Sequence, residues 1–256
     1  MRIVKVQGGA GNQLFQASHV YSMLTDAREP VVLYTGSLGR YRKKQDLFDQ
    51  AWAMLNIRVK NGVGVRLVLK LANRISWFER VLKQFGIECI DGYFHENFDV
   101  EYAKAAKIGI ENAGQFGTAQ QGVVHCRGGD YLEPPNDEIY WQLKFEDYSG
   151  VLVAEDISSD WVVLGNHAEL IPKFEKLGAD FLQGSIVDDL ATIGAAKQVV
   201  CSNSTFAFWG AVLCALNGGQ VRAPARYYRK DIAPNPFECL ARRFPDQVTM
   251  FGENDA

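Results

Sequence analysis

Cysteine is sparse and scattered in this sequence: Cys89, Cys126, Cys201, Cys214 and Cys239 are odd in number and never fall in a C-x-x-C spacing. That excludes a disulfide framework and a zinc ribbon, and leaves reduced core thiols. Histidine is scarcer still. His19, His95, His125 and His167 stand far apart, so the chain carries no metal-ligand cluster and no bound metal is expected. There is no dense Lys/Arg run and the formal net charge is −3, which lacks the footprint of a nucleic-acid binder. No apolar run is long enough for a signal peptide or a transmembrane segment, so a cytoplasmic location is expected. Internal repeats and low-complexity tracts are missing too.

What remains is an ordinary globular composition, 47% apolar and 22% charged over 256 residues. That length holds one large or two modest domains with ample core. Short β runs alternate with helical patterns throughout, and the polar, glycine-containing segment Glu111 to Gln121 reads as a crossing between two halves.

The stretch that organises the chain is Gly122-Val-Val-His-Cys-Arg-Gly-Gly-Asp-Tyr131. Val123 and Val124 read as a buried strand end, and Gly128 and Gly129 free the backbone to turn. His125, Arg127 and Asp130 are thereby delivered to one strand terminus, where ligands sit in an α/β sheet. The Arg127 fork suits phosphate oxygens, His125 can hydrogen-bond a base or sugar, and Asp130 can orient Arg127 or cap the turn. A surface Arg–Asp pair beside a turn accounts for the same spacing.

The N-terminus repeats the device. Ile3-Val4-Lys5-Val6 reads as a strand, Gln7-Gly-Gly-Ala-Gly-Asn-Gln13 as a glycine turn, and Leu14 to Leu24 as a helix. The turn lacks the G-x-G-x-x-G register and no Walker lysine follows, so neither a dinucleotide nor a P-loop site is indicated. It offers instead a backbone loop at a helix N-terminus, with Asn12 and Gln13 supplying amides, or simply close strand–helix packing.

Pro30 to Thr35 reads as a second strand, followed by a basic loop (Arg40, Arg42, Lys43, Lys44) and a helix from Asp46 to Leu55. An amphipathic helix is expected from Gly64 to Phe85, with Arg66, Lys70 and Arg74 on one face. That face is compatible with an anionic membrane surface, and simple solvation explains it as well. Asp99 to Ile110, Ile139 to Tyr148 and His167 to Leu177 read as helices, and Trp161 to Leu164 and Phe181-Leu182 as strands. Asp188 and Asp189 open a further helix, where they suit its dipole. Gln198-Val-Val-Cys201 runs into Ser202-Asn-Ser-Thr-Phe206, whose hydroxyls and free N–H groups at a strand-to-helix junction form a phosphate cradle. Gln220 to Tyr228 is a last core strand and loop. The aromatic tail from Pro234 to Ala256 is expected to pack back across the first half.

Three of these stretches together resemble the α-1,2-fucosyltransferase family and, more distantly, the α-1,6- and protein O-fucosyltransferases. Gly8-Gly-Ala-Gly-Asn-Gln-Leu-Phe-Gln16 is similar to the family's G-G-x-G-N-Q-x-F-Q, His125-Cys-Arg-Gly-Gly-Asp-Tyr131 to H-x-R-R-G-D-Y, and Ser202-Asn-Ser-Thr-Phe-Ala-Phe-Trp209 to S-N-S-T-F-S-W-W. Asp91-Gly-Tyr-Phe94 and Ala223-Pro224 are smaller echoes. The resemblance implies an α/β fold of two facing Rossmann-like domains (GT-B type, residues 1–117 and 118–256) with the active site between them. It implies metal-independent, inverting transfer of fucose from GDP-β-L-fucose to a galactose-like hydroxyl of a growing polysaccharide, without a cofactor. The partners are then a nucleotide sugar and a glycan acceptor, lipid-linked acceptors included, at the inner face of the membrane.

Carried over residue by residue, Arg127 would bind the β-phosphate and neutralise the departing GDP, and His125 would contact the nucleotide. Asp189 would contact guanine, and Asn203, Ser204, Thr205 and Phe206 would hold the diphosphate. Asn12, with Gly9, Gly11 and Gln13, would sit near the reacting sugar, and Asp130 and Tyr131 on the acceptor side. Asp130, Glu96 and Asp99 stay open as the base, as does a late proton transfer to solvent or to phosphate. The family's second arginine is Gly128 here, and the first of its two tryptophans is Phe208.

Overall fold

The computed structural model describes residues 1–24, 30–35, 57–59, 63–96, 98–113, 120–152, 157, 160–230 and 232–252. The chain divides into two compact units, Met1–Phe94 with Phe98–Ala106 and His95–Asn97 with Lys107–Ala256. Each is built on a parallel sheet flanked by helices, so the architecture is α/β with two Rossmann-like units.

The first sheet holds β1 (Arg2–Lys5), β2 (Val31–Tyr34), β3 (Ile57–Val59) and β4 (Glu88–Ile90) in the order β3-β2-β1-β4, every pair parallel. Ile3 and Val4 point to opposite faces and both are buried, as a strand covered on both sides requires. Helix α1 (Ala10–Met23) follows β1 and buries Leu14, Phe15, Ala17 and Val20. Helices α2 (Val63–Arg74) and α3 (Ser76–Gln84) lie between β3 and β4. Beneath α2, Val65, Val68 and Leu69 pack on Ile3 and Val32.

The single helix expected over 64–85 is therefore two. At Ile75 the backbone is extended, with φ −130° and ψ 96°. Its N–H still bonds Leu71 O at 2.9 Å, while its carbonyl accepts from Phe78 N at 2.9 Å and starts the next helix. The break thus leaves both backbone groups satisfied, which periodicity alone does not reveal. Strand β3 follows a stretch in which the pattern distinguished no strand. The basic loop 40–44 and the helix expected at 46–55 lie outside the described residues.

Helix α4 (Val100–Ala113) leads to the second sheet. There β5 (Gly122–Cys126), β6 (Trp161–Gly165), β7 (Asp180–Phe181), β8 (Gln198–Val200), β9 (Gln220–Pro224) and β10 (Val248–Phe251) run in the order β10-β9-β8-β5-β6-β7, all parallel. All of β5 is buried. Its alternation sends Val124 and Cys126 into one core with Tyr148, Trp161, Val163 and Phe174, under α6 (Phe145–Leu152) and α7 (Ile171–Glu175). His125 goes to the opposite face, toward α8 (Ile186–Ala195) and α9 (Thr205–Leu216), where its ring lies 5.5 Å from that of Phe206. Trp161, Trp209, Tyr148 and Phe174 are almost wholly buried, each contributing roughly 2–3 kcal/mol by area.

One expectation changes here. The helix read over 139–148 is replaced by α5 (Asn136–Ile139), an extended link, and then α6. The link is held by tertiary contacts: Tyr140 bridges Tyr228, Trp141 N–H bonds Tyr227 O at 3.1 Å, and Tyr131 stacks on Tyr140 at 4.2 Å. In the tail, α10 (Pro236–Arg243) and β10 belong to the second unit, with Val248 paired to Val221.

One close approach is decisive for β5 and β6. Gly165 has φ 124°, and a Cβ there would stand 2.0 Å from the Cys126 carbonyl oxygen. Gly165→Ala must strain the backbone and push apart two central strands, so a loss of about 3 kcal/mol or more is expected in urea unfolding. A loss under about 1 kcal/mol would contradict this register.

Candidate functional site

In the second sheet the chain moves from β5 to β6 and β7 on one side, then returns to β8 on the other. Helices crossing in opposite directions leave the carboxyl ends of β5 and β8 uncovered, the position where open α/β sheets bind ligands. Two of the three sequence motifs meet here. His125 Nδ1 and Ser202 Oγ share a hydrogen bond of 2.7 Å, both residues being buried. His125 is part of the floor of the site, with Tyr148 Oη donating to its carbonyl at 3.3 Å. Ser202 itself had been read only as one of several hydroxyls.

Arg127 comes next on the chain, its side chain about one quarter exposed. Its Nη2 donates to Asp130 Oδ1, and its guanidinium carbon lies 4.7 Å from the centre of the Tyr131 ring. A part-exposed ion pair adds little stability, but together with the ring it holds the fork in one orientation. The Arg127 Nε is buried and finds no hydrogen-bond partner among the described residues. A buried donor left unmet is costly, and an anionic oxygen would satisfy it.

At Gly128 no room is left for a side chain. Gly128 N–H donates to Asn166 Oδ1 at 2.9 Å, and a Cβ on Gly128 would meet His167 Cα at 2.7 Å. The loop after β6 has closed over this position. Glycine is therefore what allows that loop and the Arg127 turn to touch.

Opposite, α9 begins at Ser204, whose Oγ accepts from Phe206 N at 3.2 Å. Ser202, Asn203 and Ser204 are buried, whereas Thr205 and Phe206 are half-buried. Asn203 Nδ2 is committed to two carbonyls, Trp141 O at 2.6 Å and Tyr227 O at 3.0 Å. It pins the aromatic loops rather than presenting its amide nitrogen outward. The helix N-terminus at Thr205 and Phe206 is the part left accessible for an anion. Asp189 lies in the first turn of α8, where Oδ1 accepts from Gly184 N at 3.1 Å, beside the Ser185–Asp188 capping box.

Around these stands an aromatic wall of which sequence reasoning named only Tyr131, since it is drawn from three separate stretches of the chain. Tyr131, Tyr140, Tyr227 and Tyr228 contact one another, and Arg226 lies 4.9 Å over the Trp141 ring. A cavity of about 490 Å³ follows β9, lined by Arg226, Tyr228, Lys230, Asn235 and Glu238 among others. It borders the aromatic wall, while His125, Arg127 and the Ser202–Phe206 turn are not among its lining residues.

The first unit has its own reversal point, between β1 and β4, and the glycine turn occupies it. Helix α1 starts at Gly9 without a side-chain cap or an acid in its first turn. Gly11 is buried within the helix and Asn12 is half-buried. Gln13 is buried, its Nε2 donating to Gly8 O at 3.3 Å while Oε1 has no partner among the described residues. Gln16, buried, ties the turn to β4 through Gly92 O at 2.7 Å and accepts from Gln7 N at 3.2 Å. Asp91 receives Lys5 Nζ at 2.9 Å and Gln7 Nε2 at 3.1 Å. Of the carboxylates considered as bases, Asp99 accepts from Tyr102 N at 2.8 Å, Asp130 is paired with Arg127, and Glu96 is exposed.

Burial first, and the Arg127 charge second, lower the His125 imidazole from 6.5 to about 3. The folded protein therefore keeps it neutral, while the unfolded chain takes up a proton below pH 6.5. Between those values the unfolded state binds more protons, so stability falls as pH falls. His95, lowered to about 4 by burial, acts in the same direction. The unfolding free energy is expected to drop by up to about 1.4 kcal/mol per pH unit per histidine between pH 6.5 and 5. In His125→Gln that slope becomes shallower; an identical slope in denaturant titrations would refute the assignment.

No protein-family model matches this sequence, and no curated protein does. Among solved structures the chain is similar to a glycosyl transferase family 9 protein of Veillonella parvula, at 8% identity and TM-score 0.39, over 87% of this chain and 80% of that one. It is similar also to the iron-containing dodecameric glycosyltransferase TibC of enterotoxigenic E. coli, at 10% identity and TM-score 0.40, over 87% and 57%. A third is KpsC of Thermosulfurimonas dismutans, a beta Kdo 2,7 transferase, at 13% identity and TM-score 0.33, over 83% and 89%.

Proposed function

We propose that this protein is a glycosyltransferase that moves L-fucose from GDP-β-L-fucose to a galactose-like hydroxyl in α-1,2 linkage. The observation that supports the reading best is the bond of His125 to Ser202 at one reversal point, with Arg127 and its unmet Nε following on the first strand end and the α9 N-terminus on the second. Two motifs separated by some seventy residues converge where a diphosphate would be held.

In the proposed reaction the acceptor oxygen attacks the anomeric carbon from the face opposite GDP. The bond from that carbon to the phosphate oxygen breaks and the acceptor's hydroxyl proton passes late to solvent or to the departing phosphate, so a β-linked donor yields an α-linked product. Negative charge gathers on the departing β-phosphate. Arg127, held by Asp130 and Tyr131, and the N–H group of Thr205 at the positive end of α9 would receive it, and because they are preorganised they need little rearrangement. Neutral His125 does not compete as a second cation. It fixes β5 to Ser202 so that the two anion-binding elements keep their spacing.

Arg127→Ala is expected to lower kcat by about a hundredfold to a thousandfold with GDP-fucose and a galactoside acceptor. Arg127→Lys recovers little, because a point cation cannot hold both Asp130 and phosphate through a planar fork. Turnover unchanged by Arg127→Ala defeats the reading.

GDP at a hundredfold excess over its dissociation constant should stabilise the folded state by about 2.7 kcal/mol, seen as a rise in melting temperature. UDP, dTDP and ADP should do less at equal concentration. Equal shifts with all four would remove GDP as the donor nucleotide while leaving sugar transfer from another donor to be assayed.

A further inference from the structure

Helices α2 and α3 turn one side to the first sheet and leave the other outward. On α2 the outward side carries Arg66, Leu67, Lys70 and Arg74, all exposed, within roughly 100° of helix circumference. On α3 it carries Trp77, Arg80, Lys83 and Gln84, with Phe85 at its end. Leu67, Trp77 and Phe85 are 55%, 59% and 77% exposed, large apolar side chains lying among cations. Residues 63–86 hold five cations and a single acid, Glu79, in a chain whose net charge is −3. That acid is bonded to Lys83 at 2.9 Å.

We propose that this outward face docks the protein on an anionic phospholipid surface. A face that is merely solvated has no use for an exposed tryptophan and phenylalanine, and a dry protein interface would bury these cations without partners. A headgroup layer accepts both at once. Aromatic rings enter at headgroup depth while Lys and Arg stems lie along the apolar boundary with their charges on lipid phosphates. The rest of the chain is net acidic and is repelled by the same surface, so attachment is oriented through α2 and α3. Among the described residues no helix is long and apolar enough to cross a membrane, and the contact proposed is peripheral.

The test is flotation of the whole protein with vesicles of phosphatidylcholine alone and of phosphatidylcholine and phosphatidylglycerol in equal parts. Binding is expected to the anionic vesicles only, falling at least about tenfold between low and high salt. The triple change Arg66→Glu, Lys70→Glu, Arg74→Glu and the pair Trp77→Ser, Phe85→Ser should each lower partitioning about tenfold or more. Lys173→Glu, Lys176→Glu, Lys197→Glu, a charge-matched set on the second unit, should leave it unchanged. Circular dichroism melts establish that each variant is folded. No flotation with anionic vesicles overturns the proposal, as does equal flotation of the wild type and the triple variant. Self-association abolished by the Trp77→Ser, Phe85→Ser pair, without vesicle binding, also overturns it and gives the face to a second copy of the chain.

Discussion

A parallel sheet whose chain reverses direction beside one central strand is the constraint on which everything else here rests. β1 is that strand in the first unit and β5 in the second. Parallel pairing requires each connection to cross over a face, and crossovers that leave in opposite directions cannot both cover the strand end between them. The uncovered end is where the glycine turn and α1 begin in one unit, and where His125 and Arg127 meet Ser202 and α9 in the other. Motifs far apart in sequence become neighbours because the winding leaves them no other place.

At the second of these ends the electrostatics are divided among three groups. Burial keeps His125 neutral, so its bond to Ser202 joins β5 to the end of β8 without adding charge. Asp130 and the Tyr131 ring hold Arg127, the cation facing the site. The α9 N-terminus adds the partial positive charge of its free N–H groups. Each would be weaker in water, and each gains from a partly buried setting. The loop after β6 leaves no room for a side chain at Gly128.

Much of this was legible from residues alone. The 122–126 strand and the Ser-Asn-Ser-Thr junction before α9 stand where pattern places them, because a local rule governs each: apolar runs pair, and a serine caps a helix. The glycine turn is shorter than read, since α1 already begins at Ala10. Local rules failed where distant partners intervene. The 139–148 stretch has a helical pattern, yet Tyr140 and Trp141 are drawn out by the Tyr227–Tyr228 loop. Ile75 divides a continuous amphipathic period because both its backbone groups find helical partners on either side. Asn203, one of the residues carried over as holding the diphosphate, has its amide nitrogen bound to two loop carbonyls that no spacing rule connects.

By itself, then, the sequence determined most of the strands and helices, though not β3, β10, the break at Ile75 or the extended link after α5, that they alternate as β and α, and which short stretches carry polar chemistry. Those properties arise from side-chain periodicity and backbone freedom within a few residues of each other. Only the tertiary structure decided that His125 lies in the floor bonded to Ser202, that Arg127 is steered by Asp130 and Tyr131, and that an aromatic wall from three separate segments stands beside them. These depend on strand order and on which face each crossover takes, and both are settled by burying two sheets at once.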